Sequence, residues 1–327
     1  MIILLATFLL SVLLCGLYLR LAHRWHILDE PNARSSHAQP TPHGGGVPLL
    51  LAFAAGFVAN AWLADAWSRE YYVLMLTAVI LMLVGVVDDM RGLSVRLRFC
   101  AYGICCAGVA AFLLWPVFPQ PGWLALLVVF IVSLTLLWSL NLYNFMDGID
   151  GLAALQCINA CAAAALLAWL GGEGAYALFC LLLAASHLGF FCWNCPPAKL
   201  FMGDAGSIPT GFLLAGLALM GQVSGALQAA VWLILLAPFI TDATWTLLWR
   251  LFTGQAFMQA HRLHAYQRLS RLWQSHLAVD LLLLAISGLW LFPLAWAAHV
   301  YPQTAFLLVI LAYVPLLAGM VKIRQLT

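Results

Sequence analysis

Gly122-Trp123-Leu124-Ala125-Leu126-Leu127-Val128-Val129-Phe130-Ile131-Val132-Ser133-Leu134-Thr135-Leu136-Leu137-Trp138-Ser139-Leu140 is nineteen residues without a charge. Asn141-Leu142-Tyr143-Asn144-Phe145-Met146-Asp147-Gly148-Ile149-Asp150-Gly151 follows at once. An apolar run of about 20 residues has the length of one membrane-spanning helix. Behind it Asn141, Asn144, Asp147 and Asp150 recur at every third position. If helical, that stride lines four polar side chains along one face. Gly148 and Gly151 would permit a break and the close approach of a ligand. Polar groups so near a bilayer are costly, so such a ladder points to function.

The rest of the chain repeats this design. Of 327 residues 65% are hydrophobic and 8% charged, against about a quarter charged in soluble domains. The composition fits an all-α polytopic membrane protein, and the long apolar runs exclude an outer-membrane barrel. One integral-membrane domain over 1–327 is expected, because no hydrophilic stretch is long enough for a soluble one. Eleven spans are read at 2–22, 47–65, 71–87, 97–115, 122–140, 150–170, 175–193, 207–221, 226–249, 276–298 and 304–321. The eighth is short. The first is expected to stay as an uncleaved helix, since no basic region precedes it.

Lys and Arg orient these spans. With the N-terminus periplasmic and the C-terminus cytoplasmic, 13 of the 14 basic residues face the cytoplasm and only Arg69 lies outside. Cytoplasmic segments are then 23–46, 88–96, 141–149, 194–206 and 250–275. Five of the twelve acidic residues, Asp88, Asp89, Asp147, Asp150 and Asp204, fall at cytoplasmic span ends. No basic arm or RNA-type aromatic motif supports nucleic-acid binding. The nine cysteines sit mostly in apolar runs as small hydrophobes, and Cys192-Trp193-Asn194-Cys195 is read as structural.

Asp88-Asp89 are two adjacent carboxylates that a divalent cation would stabilise, Mg²⁺ or Mn²⁺ by hard-oxygen preference. The alternative is a solvated helix end beside arginines that only follow the charge rule. Gly203-Asp204-Ala205-Gly206-Ser207 offers small residues around one carboxylate, suited to a metal or phosphate at a helix start. An N-cap is its structural alternative. His261-Arg262-Leu263-His264 lies in a basic loop that fits a diphosphate, or else a loop resting on anionic headgroups. Arg34 to Gly46, with His37 inside it, could form an anion-binding nest. Asp242 is read as a structural partner of Arg250, and Asp280 and His187 likewise as structural. Gly211, Gly216 and Gly221 suggest a close-packing face.

Taken in order, these motifs resemble the polyprenyl-phosphate N-acetylhexosamine-1-phosphate transferases. That family includes the bacterial phospho-MurNAc-pentapeptide translocase and the enzymes that start several surface polysaccharides. The Pro-Thr-Pro-x-Gly-Gly-Gly loop, the Asp pair, the ladder, Phe201-Met202-Gly203-Asp204-Ala205-Gly206-Ser207 and the late His loop carry the likeness across nearly the whole chain. It implies an inner-membrane enzyme with a cytoplasmic site, moving a sugar-1-phosphate from a UDP-N-acetyl sugar to undecaprenyl phosphate. UMP leaves, and Mg²⁺ is required. By matching motifs Asp204 is the firmest metal ligand, with Asp88 and Asp89 near the metal or the lipid phosphate. Asp147 and Asp150 line the nucleotide site, Asn194 and Phe201 hold uracil, and His261 and His264 contact the diphosphate or sugar. Asn141, Asn144, Arg34, His37 and Arg262 are further substrate-binding candidates. Membrane lipids surround the protein, and a homodimer is the one protein assembly allowed for.

Two departures matter. His43 stands where relatives commonly carry Arg, and the late loop lacks the His triplet of the peptidoglycan enzyme. The loop is closer to the O-antigen-initiating branch. An ion-coupled multi-pass transporter is the rival from another class; it predicts charges near the bilayer midplane and internal repeats. CDP-alcohol phosphotransferases and aromatic prenyltransferases need longer Asp arrays of different spacing.

Overall fold

The computed structural model describes residues 1–30, 40–64, 67–118, 120, 122–255 and 261–326. Arg34 and His37 lie outside these residues. The described residues are mostly helical, with one short antiparallel pairing of Leu28–Asp29 with Thr41–Pro42; the first helices are α1 (Ile2–Arg24), α2 (Gly46–Ala64), α3 (Arg69–Arg91), α4 (Val95–Leu114), α5 (Trp123–Met146), α6 (Leu152–Leu170) and α7 (Gly174–Asn194). Then come α8 (Asp204–Ser224), α9 (Ala229–Leu235), α10 (Ala237–Phe252), α11 (Ala265–Trp273), α12 (His276–Ala285), α13 (Phe292–Val300) and α14 (Ala305–Leu326). A π-helical turn, Ile286–Leu291, joins α12 to α13 in one span. Among the described residues ten helices are long and apolar enough to cross a membrane. The bent pair α9–α10 makes an eleventh.

That pair corrects the straight ninth span expected from hydropathy. It bends by 73° at Leu236, two residues before Pro238. Pro238 lacks the N–H that would bond Ile234 O and its ring crowds that carbonyl, so it suits the first turn of α10 but cannot continue α9. The eighth span is also longer than its apolar run, starting at Asp204 and ending at Ser224.

α8 occupies the centre. It packs between α3 and α5 and touches α2, α4 and α6. Its glycines permit this, though not as the single face expected. A five-residue spacing turns each one about 140° from the last. Gly211 accordingly meets Tyr143 and Leu140 of α5, Gly216 meets Leu74 of α3, and Gly221 meets Tyr176 of α7. Backbones come closest at the polar end, where a Cβ on Gly46 would overlap the Cα and N of Gly206. Gly46→Ala should therefore cost about 2 to 3 kcal/mol of stability by overpacking. Gly103→Ala, inside α4 with nothing within 4 Å, should hold or slightly raise the thermal midpoint.

α3, α5 and α7 end, and α4, α6, α8 and α12 begin, at the same end of this antiparallel bundle. All five carboxylates sit there. Charges gathered at one end are the opposite of the transporter expectation.

Candidate active site

The site is assembled around the first turn of α8. Residues 40–46 run beside Phe201-Met202 and close a short ladder with them. Phe201 N donates to Pro42 O at 2.8 Å, Gly45 N to Phe201 O at 2.9 Å, and Gly46 N to Met202 O at 2.8 Å. Those last two N–H groups were candidates for an anion nest; they are committed to the Phe201 and Met202 carbonyls instead. Gly203 then takes φ +74°, a left-handed conformation that suits glycine, and α8 starts.

Its cap comes from far away in sequence. Asp89 Oδ1 accepts from Asp204 N at 3.2 Å, and Oδ2 from Ala205 N at 3.2 Å. A carboxylate there satisfies orphan N–H groups and complements the helix dipole. Asp89 thus builds the site from α3 rather than lying open within it. Asp88 Oδ1 accepts from Leu93 N at 2.7 Å and Oδ2 from Arg98 Nη1 at 2.6 Å. Both of its oxygens are engaged.

Asp204 itself faces a cavity. Its Oδ1 accepts from Asn144 Nδ2 at 2.7 Å and its Oδ2 lies 3.4 Å from Arg98 Nη1. Asn144 also donates to Ser207 Oγ at 2.8 Å. The cavity holds about 600 Å³ between α4, α5, α8, α10 and the late loop. Val95, Phe99, Leu134, Leu137, Trp138 and Leu247 make an apolar wall, while Arg98, Asn141, Asn144, Asp204, His261 and His264 form the polar end. This arrangement suits a ligand with a hydrocarbon body and a phosphate head.

The late loop is fixed by Asp242. Its Oδ1 accepts from Thr246 Oγ1 at 3.1 Å and Ala265 N at 2.9 Å, and lies 3.1 Å from His264 Nδ1. Its Oδ2 accepts from Tyr266 N at 3.0 Å. The carboxylate caps α11 and holds the imidazole together. Its close side-chain partners are Thr246 and His264, where Arg250 was expected. His261 follows it closely, with ring centroids 4.8 Å apart.

The ladder does not survive as one face. α5 ends at Met146 with Asp147 as its cap, so only Asn141 and Asn144 share a helix surface. Tyr266 explains the stop, because its hydroxyl donates to Phe145 O at 2.9 Å and packs on Gly148. The glycines Gly148 and Gly151 therefore admit Tyr266 and Asp280 rather than a ligand. Asp150 turns to a second cavity of about 510 Å³, shared with Pro196, Arg262 and His276. It accepts from Ala198 N at 3.0 Å and pairs with His276 at 3.1 Å. Asn194 is buried beside it as a staple, accepting from Gly151 N at 3.0 Å and donating to Leu200 O at 2.9 Å. Phe201 is half-buried.

Asp147 caps α5, and its carboxyl is pushed up to about 7 by burial, then by Asp204, Asp89 and Asp150. Surplus negative charge in hard oxygen donors is the chemistry that a divalent cation relieves. Among the described residues no three acidic, His or Cys side chains converge on one metal point. Mg²⁺ needs only one or two carboxylates when water and phosphates complete its shell, so the residues fit, Asp204 best. Asp88 would first have to release Arg98.

A sign follows for pH. A carboxyl raised from 3.8 to about 7 contributes stability that is full below about pH 4 and lost as pH rises through 7. The metal-free thermal midpoint should fall between pH 5.5 and 7.5, and Mg²⁺ should raise it more at the higher pH. Asp147→Asn should flatten both trends.

Comparison with known proteins adds the family. Residues 71–222 match the model for glycosyl transferase family 4. A Geobacillus kaustophilus phospho-N-acetylmuramoyl-pentapeptide-transferase is 30% identical over 246 residues, 66% of this chain and 74% of that one. The chain belongs to glycosyl transferase family 4.

Two other relatives of this glycosyl transferase extend the match. A probable undecaprenyl-phosphate N-acetylglucosaminyl 1-phosphate transferase of Bacillus subtilis is 26% identical over 79% of this chain and 73% of its own. The decaprenyl-phosphate N-acetylglucosaminephosphotransferase of Mycolicibacterium smegmatis is 28% identical over 93% and 84%. The all-α polytopic architecture read from the sequence holds for this transferase.

Sequence reasoning missed three members of the site. Arg98 looked like one more basic residue at a span end, yet it bridges Asp88 and Asp204. The signal was its place, ten residues after Asp88 across one helical turn-round. His276 follows Ser275, which caps α12. Gln267 joins His261 and His264 on the cavity wall.

Proposed function

We propose that this transferase moves an N-acetylhexosamine-1-phosphate from a UDP-sugar to undecaprenyl phosphate, releases UMP, and so starts an O-antigen-like surface polysaccharide. The observation that carries the reading is the cavity whose apolar wall leads to Arg98, Asn144, Asp204, His261 and His264. A prenyl chain lies along α4, α5 and α10, and its phosphate stops against Arg98. The asymmetry of the basic residues supports a site at the cytoplasmic face of a bacterial inner membrane.

Chemically, an oxygen of the lipid phosphate attacks the sugar-proximal phosphorus of the donor. One P–O bond forms, the P–O bond to the UMP phosphate breaks, and the sugar C1–O bond stays intact. The acceptor phosphate is already ionised near neutral pH, so no strong base is required. Asp88 and Asp89 hold Arg98 and α8 in place, and Asn144 orients Asp204. His261 and His264 donate toward the diphosphate, with His264 aligned by Asp242. Mg²⁺ held by Asp204 would supply charge neutralisation of the donor diphosphate.

Arg98→Gln should raise KM for the lipid acceptor about tenfold while KM for the nucleotide donor changes little. The broader test is a panel of UDP-N-acetylhexosamines with purified enzyme, undecaprenyl phosphate and Mg²⁺. Formation of a lipid-linked sugar with stoichiometric UMP supports the assignment. A phosphorylated enzyme after donor alone would replace direct transfer by a covalent route.

A further inference from the structure

The wall of the larger cavity contains an acceptor that the folded chain leaves unused. Gln267 lies in the first turn of α11, three residues after His264, a spacing that puts both on one side of the helix. Both line the cavity that holds Asp204. Gln267 is only 9% exposed, and its Oε1 has no hydrogen-bond partner among the described residues. A buried carbonyl left unbonded costs stability, so its retention calls for a partner from outside the chain.

The amide is held in place. Asp242 accepts from Ala265 N at 2.9 Å and Tyr266 N at 3.0 Å, which fixes the turn that carries it. The Gln267 Nε2 stands beside the Tyr266 hydroxyl, over Gly148. That hydroxyl already donates to Phe145 O at 2.9 Å, so toward Gln267 it can only accept. Nε2 must face it, and Oε1 is the atom left over.

The chemistry of an amide oxygen then selects the ligand. It accepts hydrogen bonds and donates none. A hydrocarbon chain offers it nothing, and an ionised phosphate is an acceptor that it repels. Neither part of a lipid phosphate satisfies Gln267; a hydroxyl or an amide N–H does. In the proposed reaction the sugar-proximal phosphorus must reach the lipid phosphate in this cavity, and the sugar is bonded to that phosphorus. Uracil and ribose lie one phosphate further away.

We infer, resting on the reaction proposed above, that Gln267 is a specificity-determining residue that reads the sugar of the nucleotide donor. Its Oε1 accepts from one sugar hydroxyl or from the N-acetyl N–H. His264 meets the diphosphate and Gln267, one turn on, meets the group attached to it. A single helical turn anchored by Asp242 thereby aligns both.

Isothermal titration calorimetry of the full-length protein, with UDP and with the UDP-N-acetylhexosamine that it binds most tightly, tests the contact. Gln267→Met, close in length but without the carbonyl, should weaken the UDP-sugar about tenfold and leave UDP unchanged. Kinetics with analogues that each lack one sugar hydroxyl or the amide N–H supply a second measurement on the wild type. One analogue should lower wild-type kcat/KM about tenfold, and Gln267→Met should be insensitive to that same loss while responding to the others. Equal weakening of UDP and UDP-sugar, unchanged affinity for both, a wild type indifferent to every analogue, or one analogue profile shared by both proteins would overturn the role of Gln267. A sugar-dependent loss of binding in a protein that makes no lipid-linked sugar would refute the proposed reaction and leave the sugar contact standing. Lipid-linked sugar made equally well by both proteins would do the reverse.

Discussion

Asp204→Asn lowers sugar-phosphate transfer about a thousandfold or more while the protein keeps its thermal midpoint within a few degrees. The size follows from the proposed reaction, in which Asp204 would supply the negative charge that holds a cation against the donor diphosphate. The fold survives because an asparagine carbonyl still accepts from Asn144, whose 2.7 Å hydrogen bond is the main contact of Oδ1. Losing the repulsion with Asp89 and Asp147 also relieves strain in the metal-free state. Initial rates with saturating donor, measured beside a thermal-unfolding scan, separate the two effects. Full activity in the variant would remove Asp204 from the metal role.

Asp242→Ala is expected to damage stability and turnover together. It strips a buried carboxylate of four hydrogen-bond partners, leaving the first N–H groups of α11 and the His264 ring without an acceptor. Loss of a cap and exposure of unpaired buried donors cost about 2 to 4 kcal/mol. Turnover should fall about a hundredfold, since His264 loses both its anchor and its defined tautomer. His264→Ala is the informative companion. It should lower turnover similarly with a smaller loss of stability, because Asp242 keeps its bonds to Ala265 and Tyr266. Equal stability losses would mean that Asp242 acts through the imidazole alone.

The two residues also mark how far sequence reading reaches here. Apolar runs decided the spans, because a chain with 8% charged residues leaves few ways to be helical except across a bilayer. Hydropathy could not see that Pro238 bends the ninth span, or that α8 begins three residues ahead of its apolar run. Asp204 and Asn144 stood out as polar groups in costly positions, and His261 and His264 as histidines in a basic loop. What they touch was hidden. Asp89 caps a helix that starts 115 residues later, and Asp242 holds a loop 22 residues away. Neither partnership leaves a spacing that can be read. The ladder failed for a similar reason: its period is local, but its end is imposed by Tyr266 arriving from α11. Asn194 changed meaning too, from a base-binding candidate to the staple that joins Gly151 to Leu200.

Family membership narrows the chemistry without choosing the bond that breaks. A donor labelled only on the phosphate next to the sugar makes that choice. Incubated with undecaprenyl phosphate and Mg²⁺, this transferase should move the label into the lipid extract together with the sugar and leave unlabelled UMP in the aqueous phase. Label remaining in aqueous UDP while the sugar alone reaches the lipid would contradict the account.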